Sequence, residues 1–135
     1  MTTRDVVFPA GRQALYDTNR YSPAIRANGM LFVSGQVGSR EDGSPEPDLE
    51  AQVRLAFKNL NAILEAANCT FDDVVDVTIF MVDPQAHFEK IWNVVVPEYW
   101  GGAPHPTVTA VGVTWLYGFQ FEIKAIAKLP EAPAS

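Results

Sequence analysis

The fold of this chain is organised around Tyr21-Ser-Pro-Ala-Ile-Arg-Ala-Asn-Gly-Met-Leu-Phe-Val-Ser-Gly-Gln-Val-Gly38, which ends in small polar residues. Two runs, 23–27 and 30–36, flank Asn28-Gly29, the dipeptide that best tolerates the positive φ angles of a type I′ turn. The stretch therefore predicts a β-hairpin. Both alternating sets of positions in its second strand contain apolar residues, which indicates a sheet that is covered on both faces.

The strongest secondary-structure pattern follows an exposed loop at 39–47. Apolar residues recur at helical spacing over 49–67, with Asp48 as the N-cap and Asn68 as a C-terminal stop. The run 74–82 is mostly β-branched and is apolar on both alternating sides, which predicts a central strand.

A second helix is predicted after Asp83-Pro84, because aspartate can cap a helix and proline tolerates its first position. Its apolar stripe contains Phe88, Ile91, Trp92, Val95 and Tyr99, and Pro97 lacks an N–H, which predicts a bend or break. The remaining predicted elements are a short edge strand at 6–8, a loop at 101–106, strands at 107–116 and 119–128 around Tyr117-Gly118, and a frayed tail at 130–135.

This order predicts a single domain over residues 1–135 with an α+β sandwich fold. The mixed β-sheet has both helices on one face. The other face also needs a cover, and the chain has no third layer to spare. We therefore expect another copy of the chain to cover it in a closed symmetric oligomer.

Composition excludes several classes of function. A chain of 135 residues can bury a core without metal or disulfide support. Its net charge of −6 argues against nucleic acid as a partner. No apolar run approaches the roughly 18 residues of a membrane span, and the single cysteine, Cys69, fits a reducing cytoplasm. His87 and His105 lack metal-ligand spacing, so no metal is expected.

Three motifs carry a family resemblance: Leu31-Phe-Val-Ser-Gly-Gln-Val37, Asn59-Leu-Asn-Ala-Ile-Leu-Glu-Ala-Ala67 and Phe121-Glu-Ile-Lys-Ala-Ile-Ala127. With them the chain resembles the RidA/YjgF family of reactive-intermediate deaminases, which includes RutC-like proteins, over about 21–128. The segments 8–12, 34–43 and 109–116 look more narrowly like its YjgH-type branch.

The resemblance implies a chorismate-mutase-like fold. It also implies a homotrimer whose sheets line an inner barrel, with a small-molecule pocket at each subunit interface. Family deaminases hydrolyse imines and enamines derived from amino acids and release ammonia and a keto acid. Neither a metal nor an organic cofactor is implied.

In such a pocket an arginine binds the substrate carboxylate and a glutamate helps water attack the imine carbon. By matching motifs, Glu122 is the candidate catalytic residue, and Tyr21, Ser34 and Gly35 are candidate substrate-binding residues. Asn93 is a weaker match, because the helix around it carries one extra residue.

One position departs from the family pattern. Val108 stands where the family has the arginine, and a valine cannot form the bidentate pair that holds a carboxylate. Ala110 and Gly112 on the same strand are also smaller than is usual, which predicts a wider and more apolar pocket. His105 could supply a replacement cation.

Each candidate also has a plain structural interpretation. Glu122 could be a solvated strand carboxylate, Ser34 could serve only its turn, and Tyr21 could simply cover the core. Cys69 is interpreted as inert packing. The three tryptophans are interpreted as core or interface anchors: Trp92, Trp100 and Trp115.

Two functions from different classes follow. The first is a hydrolase of small reactive imines or enamines with altered specificity. The second is a trimer that binds a small metabolite without turnover. An endoribonuclease, an activity assigned to some family members, is a distant third because of the acidic charge.

Overall fold

The structure is a computed structural model that describes residues 3–100 and 104–131. The predicted loop at 101–106 and the predicted tail at 130–135 lie partly outside these residues. The described part contains one mixed sheet of seven strands and three α-helices. The strands are β1 (Asp5–Val7), β2 (Ala24–Ala27), β3 (Met30–Val33), β4 (Gln36–Val37), β5 (Val74–Val82), β6 (Thr107–Val113) and β7 (Phe121–Lys128). The helices are α1 (Gln13–Asn19), α2 (Leu49–Ala66) and α3 (Pro84–Lys90).

The strands lie in the order β1-β2-β3-β7-β5-β6, and β4 also pairs with β7. β5 is central, as its sequence predicts, and β6 is parallel to it, whereas the other pairs are antiparallel. β6 and β7 are both shorter than predicted. They are not neighbours in the sheet, because β5 lies between them. The turn that follows β6 has positive φ angles at Tyr117 (54°) and Gly118 (89°).

The predicted hairpin is confirmed at its turn. Asn28 and Gly29 have φ angles of 53° and 76°, as a type I′ turn requires. The predicted second strand over 30–36 is wrong in one respect, because the ladder breaks at Ser34-Gly35 and resumes as β4. Val33 and Gln36 are both buried, and strict alternation would put them on opposite faces.

The predicted helix over 49–67 is confirmed as α2. The Asp48 side chain accepts a hydrogen bond from the Ala51 N–H at 3.0 Å, as an N-cap does. Asn68 adopts a positive φ of 61° just after the helix. The buried face of α2 packs on the sheet, where Phe57 lies 6.1 Å from Phe121 of β7 between ring centroids.

The N-cap of α2 provides a stability test. Asp48→Ala is expected to lower the free energy of unfolding by about 0.5–2 kcal/mol, because it leaves a first-turn N–H without its protein partner. Urea denaturation measures this loss. Asp48→Asn is the matched control, since asparagine caps as well as aspartate. Equal destabilisation by the two variants would contradict the capping role.

The second predicted helix is confirmed: it begins at Pro84, and its regular α-helical form is interrupted before Pro97. The α-helical turns end at Lys90, a π-helical turn covers Ile91–Val95, and a 3-10 turn containing Pro97 covers Val96–Glu98. The π-helical turn contains Asn93. The predicted Asp83 cap is wrong: Asp83 has a φ of 52° and its side chain makes no capping bond.

α1 was not predicted. It has seven residues, of which only Tyr16 is buried, so it is too short to show a helical pattern of apolar residues. Trp92 and Trp100 pack against the core, consistent with the anchor interpretation. Trp115 is 61% exposed, so the core interpretation is wrong for that residue.

The two faces of the sheet differ in their cover. We call the face of Ile79, Met81 and Ile123 the helix face; these side chains are buried. The opposite, outer face carries Phe32, 45% exposed, and Val111, 40% exposed. The described part of the chain thus leaves apolar residues of its outer face open. Within the described residues, no helix combines the length and apolar character needed to cross a bilayer.

Candidate functional site

A β-bulge lies at Ser34-Gly35. Phe32 pairs with Ile126 and Gln36 pairs with Ile123, so four steps along the hairpin strand match three steps along β7. The extra residue lies next to Glu122, which is opposite Val37. Bulges of this kind redirect side chains and occur frequently beside active sites.

Gly35 and Glu122 are in direct contact. A Cβ atom on Gly35 would overlap Glu122 Oε1 and would lie 2.6 Å from Glu122 Cδ. The φ angle of Gly35 is not positive, so glycine is required here for space rather than for backbone conformation. The bulge therefore places the Glu122 carboxylate directly over the Gly35 Cα.

The Glu122 carboxyl is a perturbed acid. It is half-buried, and this burial raises its pKa above the usual value, while the positive charge of Lys124 on the same face partly opposes the rise. Such an environment brings the pKa of a carboxyl closer to neutral pH, where a general base works best.

Tyr21 is close enough to Glu122 for their charges to interact. Burial raises the pKa of the Tyr21 hydroxyl; Tyr16 and Glu122 raise it further, and Arg12 lowers it. The Tyr21 ring is 48% exposed and contacts Tyr16 edge-on at 4.9 Å between centroids. With its pKa raised, the Tyr21 hydroxyl stays protonated at neutral pH and can donate a hydrogen bond.

Both hydrogen-bond donors of Ser34 are used within the local backbone structure. Its hydroxyl donates to the Ser22 carbonyl oxygen at 2.6 Å, and its backbone N–H donates to the Pro23 carbonyl oxygen at 2.8 Å. The hydroxyl proton is therefore used, although the oxygen can still accept from a ligand. This geometry favours the turn interpretation of Ser34.

One residue near the site, Gln36, was missed by the sequence analysis. Gln36 is 5% exposed and donates from Nε2 to the Tyr16 hydroxyl at 3.4 Å and to the Ser34 carbonyl oxygen at 3.1 Å. Gln36 thus links α1, which supports Tyr21, to the bulge. Its position within the Leu31–Val37 motif was the only available signal.

Val108 and Ala110 lie on the other face of the sheet. They pair with Val77 and Ile79, which are buried on the helix face, whereas Glu122 pairs with Phe80 on the outer face. Strand β5 separates β6 from β7. Within one chain these residues therefore do not share a pocket with Glu122.

A groove of about 370 Å³ runs between β6 and α3. Ile79 and Met81 form its floor, and Ala110 and Gly112 lie along it on β6. We call Val108, Ala110 and this groove the Val108 half-site, and we call Tyr21, Ser34, Gly35 and Glu122 the Glu122 half-site. Asn93 is exposed on the π-turn, and His105 is exposed just before β6.

Cys69 is 2% exposed, and burial raises the pKa of its thiol, which disfavours the nucleophilic thiolate. Its Sγ lies 3.7 Å from the carbonyl oxygens of Ala67 and Lys128. Among residues 3–100 and 104–131, no group of three His, Cys, Asp or Glu side chains is close enough to hold a metal ion.

The mixed sheet and its open outer face define a class of small α+β proteins. A family model described as Endoribonuclease L-PSP matches residues 11–129. The RutC family protein YjgH of Escherichia coli K12 is 62% identical over 131 residues, which cover 97% of this chain and 99% of that protein.

Solved structures agree with this match. The structure of protein YjgH has a TM-score of 0.88 at 60% identity and covers 97% of this chain and 100% of its own. A member of the YjgF/YER057c/UK114 family from Mycobacterium tuberculosis has a TM-score of 0.75 at 28% identity, covering 94% of this chain and 100% of its own. The chain belongs to the RidA/YjgF family.

Proposed function

We propose that this protein hydrolyses small reactive imines or enamines in a pocket shared between subunits of a homotrimer. In this proposal the Glu122 half-site of one copy meets the Val108 half-site of the next. The observation that carries the proposal is the Glu122 carboxylate, which is half-buried over Gly35 and has a raised pKa.

The reaction converts an imine and water into a carbonyl compound and ammonia. Glu122 accepts a proton from the water whose oxygen attacks the imine carbon, and the C=N electron pair moves to nitrogen, which takes a proton. The resulting carbinolamine then loses ammonia as the C=O bond forms. Every atom comes from the imine and water, so the reaction needs no redox partner.

The interface location rests on the separation of the half-sites. Val108 lies on the helix face at an edge strand, and Glu122 lies on the outer face two strands away. A second copy packed on the exposed apolar outer face would cover Phe32 and Val111 and could bring its own β6 towards Glu122. A closed cyclic arrangement would repeat this pocket at every interface.

The specificity follows from Val108. A substrate carboxylate at this position would be desolvated without a cationic partner, which is costly in a dry pocket. We therefore expect uncharged imines or enamines to be better substrates than imines of amino acids.

A second candidate function is binding without turnover. The absence of an arginine at position 108 favours it, because the family's way of binding the substrate carboxylate is lost while the Glu122 half-site is present. A ligand that binds tightly and survives unchanged would identify this function. The net charge of −6 gives no support to an endoribonuclease.

The experiment measures ammonia release from freshly generated primary imines with and without a carboxylate, after subtraction of the spontaneous rate. We expect the wild-type protein to hydrolyse the uncharged imines. Val108→Arg should raise kcat/KM for 2-imino acids about tenfold or more, since a charge-assisted hydrogen bond contributes about 1.5–3 kcal/mol.

Val108→Met is the matched control, because it adds length without charge. Val108 is 40% exposed on an edge strand, so both variants should fold, and light scattering checks their oligomeric state. Equal gains for the Met and Arg variants would contradict the proposed role of position 108 in carboxylate binding. If the wild-type protein hydrolysed no imine of either kind, the hydrolase proposal would fail.

A further inference from the structure

The groove between β6 and α3 continues the candidate site along one face of β6. Ala110 and Gly112 line it, and Val108 is the next residue on the same face, about 7 Å further along the strand. A substrate that lies against Val108 could therefore extend a substituent into the groove. The groove is adjacent to the site rather than a separate cavity.

The chemistry of the groove is apolar. Its floor is formed by Ile79 and Met81 and its α3 wall by Pro84 and Phe88. Among the described lining residues, the only polar side chain is Gln85, and none is charged. A charged or strongly polar substituent would lose its hydration here without gaining a partner.

The size of the groove depends on small side chains of β6. A Cβ atom on Gly112 would lie 2.9 Å from Pro84 Cγ, so Pro84 already packs against the strand at this end. Ala110, nearer to Val108, leaves the space of about 370 Å³ open. A larger residue at position 110 would fill this space without a change in the backbone.

We propose that the groove binds an apolar substituent, so that the preferred substrate is an uncharged imine or enamine with a hydrophobic group. This inference rests on the proposed function and names its substrate class. In the family an arginine binds the substrate by pairing with its carboxylate. Here the groove would bind the substrate by burying the apolar surface of its substituent.

The test uses a homologous series of methyl alkyl ketimines, generated in the assay from the corresponding primary amines by an amine oxidase. For the wild-type protein, kcat/KM is expected to rise about fourfold for each added methylene until the groove is full. Ala110→Leu should lower kcat/KM for the longest member at least about tenfold more than it lowers kcat/KM for the shortest member. Thr109→Val is the matched control, because Thr109 lies on the same strand and on the outer face.

A rate that does not depend on chain length in the wild-type protein would overturn the inference while leaving imine hydrolysis intact. An equal loss for all members in Ala110→Leu would overturn it too. If no imine were hydrolysed, the affinities of the stable methyl ketones would be measured by calorimetry. An affinity that rises with chain length, and no longer does so in Ala110→Leu, would support binding of the apolar substituent in the groove of a non-catalytic protein. An affinity that does not depend on chain length would refute it.

Discussion

Glu122→Gln is expected to reduce the rate of imine hydrolysis by about 10²-fold or more, because glutamine cannot take a proton from the attacking water. The amide has nearly the shape of the carboxylate and fits over Gly35. KM for an uncharged imine should therefore change little, and the loss should fall on kcat. Steady-state kinetics with the best substrate of the imine panel measures both parameters.

The pH dependence provides an independent measurement on the same residue. Glu122 must be ionised to act as a base, and burial raises its pKa. The wild-type rate should therefore fall on acidification at a higher pH than for a carboxyl with the usual pKa of 4.5. This acidic limb should disappear in whatever residual activity Glu122→Gln retains.

The stability of Glu122→Gln distinguishes a catalytic role from a structural one. In the folded protein the carboxyl binds a proton at higher pH than it does in the unfolded chain. Its contribution to stability therefore falls as pH rises through the interval between the two pKa values. Glutamine does not ionise and so avoids the cost of burying a charged carboxylate. The variant should therefore be at least as stable as wild type at neutral pH. An unchanged kcat in a folded variant would exclude Glu122 as the base.

Gly35→Ala is expected to abolish most of the activity without unfolding the protein. The new Cβ would displace Glu122 Oε1, which is the far end of a flexible side chain and can rotate away. A displacement of about 1 Å at a reacting group can cost about 10²-fold in rate. We expect a loss of that size in kcat, with the free energy of unfolding within about 1 kcal/mol of wild type.

Gly38→Ala is the matched control three residues along the same segment. There a Cβ would overlap the carbonyl oxygen of Gln52 and would lie 2.7 Å from its carbonyl carbon. The backbone of α2 would have to shift, so we expect a loss of stability of about 1–3 kcal/mol. The activity of each folded molecule should remain, because Gln52 is not part of the Glu122 half-site.

The two glycine variants together test whether Gly35 positions the base. Chemical denaturation gives their stabilities, and kcat per folded protein gives their activities. In Gly35→Ala the displaced carboxyl is more exposed, so the acidic limb of the residual rate should move to lower pH. If Gly35→Ala lost stability and activity in the same proportion as Gly38→Ala, the proposed positioning role would be wrong.

Much of the sheet and its helices could be predicted because the signals are local. The turn at Asn28-Gly29, the N-cap at Asp48 and the apolar runs of α2 and β5 depend on neighbours within a few residues. The buried face of β7 follows from strict alternation, and Phe121, Ile123, Ala125 and Ala127 are all fully buried as predicted. The predicted interruption of the second helix at Pro97 is also confirmed.

The candidate site was predictable only as a set of residues. Family motifs identified Glu122, Tyr21 and the Ser34-Gly35 pair, but no local pattern indicates that the strand breaks between them. The bulge arises because β3 and β4 pair with one continuous strand in registers that differ by one residue. Alternation alone predicted a single strand, which would have pointed Gln36 away from the core.

The sequence by itself determined the elements of this protein, because hydrogen bonds within a turn or helix and the period of the apolar residues are local. Only the tertiary structure decided that Gly35 lies under Glu122 and that Val108 lies on the opposite face. Both facts depend on strand register, and a shift of one residue reverses the face of every side chain that follows. Register is fixed by contacts between distant parts of the chain, so the location of the site had to come from the folded molecule.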